Sequence, residues 1–109
     1  MQENVLERVK KIADNLRKAL EKRGIKVGEI YLFGSYARGD YLKSSDIDLV
    51  VVSEDWEGIP FLKRLDIVNE AVWAERLGNV EVIPVTKKEL EMRSSVVLRD
   101  ASKYWIRIL

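Results

Sequence analysis

The sequence has no cysteine, no histidine and only two prolines, and its charge is almost balanced: nineteen lysines and arginines against eighteen aspartates and glutamates, a net +1. Without cysteine there is no disulfide framework and no thiolate zinc site, which fits a reduced, cytoplasmic setting. Without histidine there is no Ser-His-Asp triad and no imidazole metal ligand. Any metal must then sit on oxygen, and oxygen ligands select hard cations such as Mg²⁺. The balanced charge gives no long-range pull on nucleic acid or on an anionic membrane, so direct nucleic-acid binding is not expected. No apolar run approaches the roughly 20 residues that span a bilayer, and the opening MQENVLERVKK does not read as a secretory leader.

What the chain does contain is 109 residues, 47% of them hydrophobic, which suits one globular domain over 1–109. A domain of this size builds a real core. It leaves no room for a second lobe, so a substrate that needs two walls must find the other on a separate chain.

Val5, Val9, Ile12, Leu16 and Leu20 recur at helical spacing, and Gly24 stops the pattern, predicting a first helix over about 3–23. Residues 28–33 (GEIYLF) read as a strand and 34–45 as a polar, turn-rich connection. Residues 46–52 (DIDLVVV) form a strand rich in β-branched residues, with Ile47, Leu49 and Val51 on one face and Asp46, Asp48, Val50 and Val52 on the other. A loop over 54–60 leads to a second long helix, marked by Phe61, Leu65, Val68 and Val72 and ending near 77–78. A third strand follows over 79–85, where Pro84 suggests an edge. Thr86 and Glu89 form a capping box for a short helix, and the closing KYWIRIL suggests an added edge strand. A dozen residues between the first two strands are too few for a parallel crossover, so these pair antiparallel. The expected architecture is α/β (α+β): a small mixed sheet of 3–4 strands with helices packed on one side.

Two short motifs carry the chemistry. Asp46 and Asp48 share a strand face, roughly 7 Å apart at the backbone. Two carboxylates about 5 Å apart repel by around 3 kcal/mol at an effective dielectric near 20. A divalent ion reverses that sign, whether both acids hold one cation or bridge two. Alone, the pair also reads as surface aspartates on a solvent face. Gly34-Ser35 follows directly on a strand: the glycine lets backbone approach a phosphate, and neighbouring N–H groups with the Ser35 hydroxyl can donate to it. Alone, this is an ordinary turn. Arg38 either neutralises a phosphate or braces the turn against Asp40. Lys43 is a weaker phosphate candidate.

Taken together, Gly34-Ser35-Tyr36-Ala37-Arg38-Gly39-Asp40 and Ser45-Asp46-Ile47-Asp48-Leu49-Val50-Val51 resemble the DNA polymerase β-type nucleotidyltransferase superfamily. Within it the chain looks like the minimal nucleotidyltransferases, many of them antitoxins encoded beside HEPN toxins. The resemblance implies that Gly34 and Ser35 hold the triphosphate of ATP, that Asp46 and Asp48 bind Mg²⁺ in a one- or two-metal site, and that a third acid completes it. By position that acid is Glu81, where such enzymes more often have Asp; its other reading is a solvent-facing residue of an edge strand. The implied activity is Mg²⁺-dependent transfer of AMP from ATP to a partner protein, a helical HEPN toxin. The alternative is a nucleotide-binding antitoxin that neutralises its partner by contact. Trp73, Trp56 and Trp105 are candidate partner contacts, or else rings that cover the sheet.

Overall fold

A computed structural model of the chain describes residues 5–42, 46–92 and 105–109. The elements run α1 (Val5–Lys22), β1 (Glu29–Phe33), α2 (Gly34–Arg38), β2 (Ile47–Val52), a 3₁₀ turn (Glu54–Trp56), α3 (Phe61–Ala74), β3 (Val80–Val85), α4 (Lys87–Met92) and β4 (Ile106–Arg107). The sheet order is β3-β2-β1-β4. β1 pairs antiparallel with β2 and with β4, while β2 and β3 are parallel. This is the mixed sheet expected, with Pro84 on an edge strand and the terminal residues adding the other edge.

Alternation along β2 divides the molecule. Ile47, Leu49 and Val51 face the main core, where Val9, Ala13, Leu16 and Leu20 of α1 and Val68 and Ala71 of α3 are buried against them. Val50 and Val52 face the opposite side and meet Val85, Leu90 of α4 and the half-buried Tyr31, Phe33, Ile83 and Trp105. Tyr31 and Trp105 pack with ring centroids 5.0 Å apart. Burying one large aliphatic side chain is worth about 1.5–3 kcal/mol, so the α1 stripe anchors the helix to the sheet. The capping box forms: Glu89 accepts from the Thr86 N–H at 2.9 Å and the Glu89 N–H donates to Thr86 Oγ1 at 3.2 Å.

Four features depart from the sequence reading or decide between its alternatives. The turn after β1 holds a short helix, α2, closed where Ser35 O accepts from the Gly39 N–H at 2.9 Å. Trp56, a candidate partner contact, is fully buried; the 3₁₀ turn folds it under the sheet, where its Nε1 donates to Val51 O at 3.3 Å. Phe61 does not join the buried stripe of α3: it opens the helix and is 47% exposed. In its place the helix buries Arg64, whose guanidinium makes a bidentate pair with Glu89 at 2.7 and 3.1 Å and also donates to Ile59 O and Pro84 O.

The end of α3 is also unusual. Leu77 N–H reaches back to Val72 O at 3.1 Å, and Arg76 takes φ +52° at the position where glycine normally ends a helix. Lys43 and residues 93–104 lie outside the described residues.

Candidate active site

Three strands present one row of side chains. Phe33 at the end of β1 faces Asp48 on β2, and Asp48 stands in register with Glu81 on β3. Side chains paired in register share a face, so Phe33, Asp48 and Glu81 line up across the sheet on the side away from α1 and α3. The next row is Tyr31, Val50 and Ile83. The acids therefore sit at the end of a dry, apolar sheet face, on strands fixed by the core behind them.

Gly34 continues from Phe33 and closes on the same carboxylate. Its φ is +74°, and a Cβ there would meet Asp48 Oδ2 at 2.2 Å. Both facts demand glycine: the left-handed backbone penalises any side chain, and the space is already filled. α2 starts at this residue, and Phe33 in the preceding position offers no side-chain cap. The first-turn N–H groups, which no intrahelical carbonyl satisfies, thus have no side-chain cap and lie beside the acids. Tyr36 and Tyr41 stack at 4.3 Å, nearly parallel, which ties the chain beyond α2 back onto that helix.

Electrostatics at Asp48 record the crowding. Its carboxyl is pushed up to about 7, first by burial, then by a hydrogen bond with Glu81 and by the charges of Glu81 and Asp46; Arg38 pulls in the opposite direction. Asp48 is half-buried, whereas Asp46, immediately before β2, and Glu81 are exposed. Glu81 is on an edge strand and open to solvent, and it also meets Asp48. Arg38 Nε donates to Asp40 Oδ2 at 3.2 Å, the bracing arrangement, while remaining close enough for its charge to act on Asp48.

Among the described residues no three acids are gathered at metal-ligand spacing. Asp48 and Glu81 form the assembled pair, with Asp46 beside them within reach of electrostatic repulsion. An oxygen-only pair whose inner carboxyl is pushed up to about 7 by burial and by its acidic neighbours is chemistry that a hard divalent cation would relieve, by offsetting the gathered negative charge. The residues fit such an ion.

The sequence matches the nucleotidyltransferase domain family over residues 13–104. The chain belongs to that family. This nucleotidyltransferase domain is 35% identical over 96 residues to the protein adenylyltransferase MntA of Thermococcus cleftensis, an alignment covering 87% of this chain and 91% of that protein. Its fold resembles a Sulfolobus solfataricus crystal structure provisionally described as a nucleotidyltransferase, with a TM-score of 0.64, 27% identity, and 94% of this chain and 77% of that one covered. A chain of a toxin–antitoxin crystal structure with AMP-PNP shares the fold at a TM-score of 0.60 and 23% identity, covering 88% of this chain and 71% of that one. The nucleotidyltransferase domain has no helix, among its described residues, long and apolar enough to cross a membrane.

Sequence reasoning passed over Phe33 and the helical form of the turn. The first was implicit in the hairpin: a strand that ends at Gly34 and returns to Asp48 must set Phe33 beside that aspartate.

Proposed function

We propose that this nucleotidyltransferase transfers AMP from ATP to a hydroxyl on a partner protein, a Mg²⁺-dependent adenylylation in the cytoplasm. The observation that carries the reading is the convergence of Gly34 and Glu81 on Asp48, which joins the phosphate turn and the third acid in one site. In this reading the N–H groups following Gly34 and the Ser35 hydroxyl hold the β- and γ-phosphates, and Arg38 adds a cation at the rim. Asp46, Asp48 and Glu81 would hold the Mg²⁺, which when bound would supply positive charge for the phosphate oxygens during transfer. The acceptor oxygen attacks the α-phosphorus; a new P–O bond forms as the bond to the β-phosphate oxygen breaks, pyrophosphate leaves, and the hydroxyl proton passes to Glu81.

The acceptor class is carried over from the Thermococcus cleftensis relative, which is named a protein adenylyltransferase. The fold neighbour from a toxin–antitoxin structure is consistent with an antitoxin role but carries the fold only. The partner we infer is a helical HEPN-type toxin, and tyrosine is the acceptor we favour. The test co-purifies the chain with the product of the adjacent gene, adds ATP and Mg²⁺, and weighs that product intact. A gain of one or more AMP units, abolished by Asp48→Asn, is the expected result. Tight association without a mass change would instead assign a binding antitoxin, and no association would remove both.

A further inference from the structure

In-line displacement puts the leaving pyrophosphate and the attacking hydroxyl on opposite sides of the phosphorus. Here the proposed phosphate turn lies at the end of β1, and β1 and β3 flank β2 on opposite sides. With pyrophosphate held at Gly34 on the β1 side and the reacting phosphorus over Asp48, the acceptor must arrive across the β3 edge.

That edge carries an open groove of about 500 Å³ between the end of α3 and the start of β3, lined by Asn69, Trp73, Arg76 and Asn79 among others. Asn79 O accepts the Ile47 N–H at 2.9 Å, which fixes this end of the groove to β2 one residue from Asp48. Two residues after Asn79 comes Glu81, so the groove opens within about 7 Å, measured along the strand, of the acid row. Trp73 is 82% exposed, the largest exposure of any bulky apolar side chain among the described residues. Arg76 is exposed, makes no ion pair among the described residues, and sits in a left-handed conformation that glycine would adopt without strain. The helix end, at the β3 edge and behind the sheet face that bears the acids, thus holds an exposed cation beside an uncovered indole, and an acceptor crossing that edge passes over both.

We infer that this groove docks the acceptor protein itself, taking a segment in which an apolar side chain lies on Trp73 and a carboxylate meets Arg76, and so delivers a neighbouring hydroxyl to the acids. A polypeptide suits the groove better than the nucleotide, because the nucleotide is tethered on the β1 side by its phosphates. Among the described residues that line it, Arg76 is the one charged group, so the charge it favours in an occupant is a carboxylate. Tryptophan and arginine are also the side chains that most often dominate protein interfaces. The inference rests on the adenylylation reading above, and its test separates the two.

Tyrosine peptides with an adjacent leucine and either aspartate or lysine at the flanks are offered with ATP and Mn²⁺ to the wild type, Trp73→Ala and Arg76→Ala, and AMP transfer is followed by mass. ATP binding and sedimentation are measured on each protein. The wild type is expected to use the acidic peptides with a KM at least tenfold lower. Arg76→Ala should erase that preference and Trp73→Ala should raise KM tenfold or more for both, while all three bind ATP within twofold. An unchanged preference in the variants, or no peptide used by a protein that binds ATP, overturns the docking groove but leaves the nucleotide site standing. Weakened ATP binding in the variants overturns it by assigning the groove to the nucleotide. A wild-type dimer that Trp73→Ala dissociates overturns it in favour of self-association. Failure of the wild type to bind ATP removes the adenylylation reading, and this inference with it.

Discussion

Gly34 and Asp48 meet so closely that a single added carbon on the glycine would stand 2.2 Å from the carboxylate oxygen. The turn and the acid are therefore one unit, and Gly34→Ala strikes it twice. The left-handed backbone costs the alanine about 1–2 kcal/mol, and its methyl displaces Asp48. Thermal melts should show a loss of at least that size. ATP titration with Mg²⁺ should show weaker binding than the loss of fold alone explains. An alanine variant with wild-type ATP affinity would separate the turn from the acid.

Stability without metal should depend on Asp48 and on pH. The folded carboxyl titrates at about 7, whereas an unfolded aspartate titrates near about 3.9. Between these values the folded state holds the extra proton, so stability falls as pH rises from about 4 to about 7 and then levels off. In EDTA, the melting temperature should drop across that window. Asp48→Asn should flatten the drop and leave the metal-free protein more stable than the wild type at pH 8. Added Mg²⁺ should act in the opposite sense, stabilising the wild type more as pH rises and the variant little. A wild type whose melting temperature rises between pH 5 and pH 8 in EDTA would contradict the crowding described at Asp48.

Ser35→Ala should leave the fold intact and weaken ATP binding. A hydrogen bond in this setting contributes about 1–3 kcal/mol, which corresponds to a loss of roughly 5- to 150-fold. Calorimetry with ATP and Mg²⁺ reads this directly, and unchanged affinity would reduce Gly34-Ser35 to a plain turn.

The Arg64–Glu89 pair predicts an asymmetry. Arg64 is buried to 8% exposure while Glu89 keeps 39%. Glu89→Ala strands a buried guanidinium and removes the α4 cap, and should cost about 3 kcal/mol or more in urea unfolding. Arg64→Met keeps the packing and leaves Glu89 facing water, and should cost about 1–2 kcal/mol less than that. Equal losses would mean the pair is not buried as described.

Arg76→Gly relieves the left-handed helix end and should raise stability by about 1 kcal/mol, a gain of roughly 4–8 °C in a domain of this size. The same change removes the cation proposed to hold the acceptor. A more stable protein that modifies its partner less well is the expected outcome, and the two effects are read by melting and by intact mass.

Much of this was legible in the sequence because it rested on period. The α1 stripe, the two faces of β2, the antiparallel hairpin and the Thr86–Glu89 box each follow from a spacing that physics ties to one geometry. What escaped had no period to show. α2 is a five-residue helix, too short for a stripe. Trp56 stands among Glu54, Asp55, Glu57 and Gly58, and only the tight turn at 54–56 tells that the ring goes inward. Arg64 reads as solvated until Glu89, twenty-five residues away, supplies its counter-charge. In the site, Gly34, Ser35, Asp46 and Asp48 stood out by motif. The meeting of Glu81 with Asp48 needed the parallel register of β2 and β3, which no local pattern encodes.

That register has a further consequence. In the register that sends Ile47, Leu49 and Val51 to the core, Asp48 stands between Phe33 and Glu81. A slip of one residue along β2 would turn Asp48 toward the main core, so the hydrophobic core acts as a proofreader for the candidate active site. A chain that slips by one residue places a carboxylate in its core in the same step, so the packing that selects the fold also selects against that misalignment.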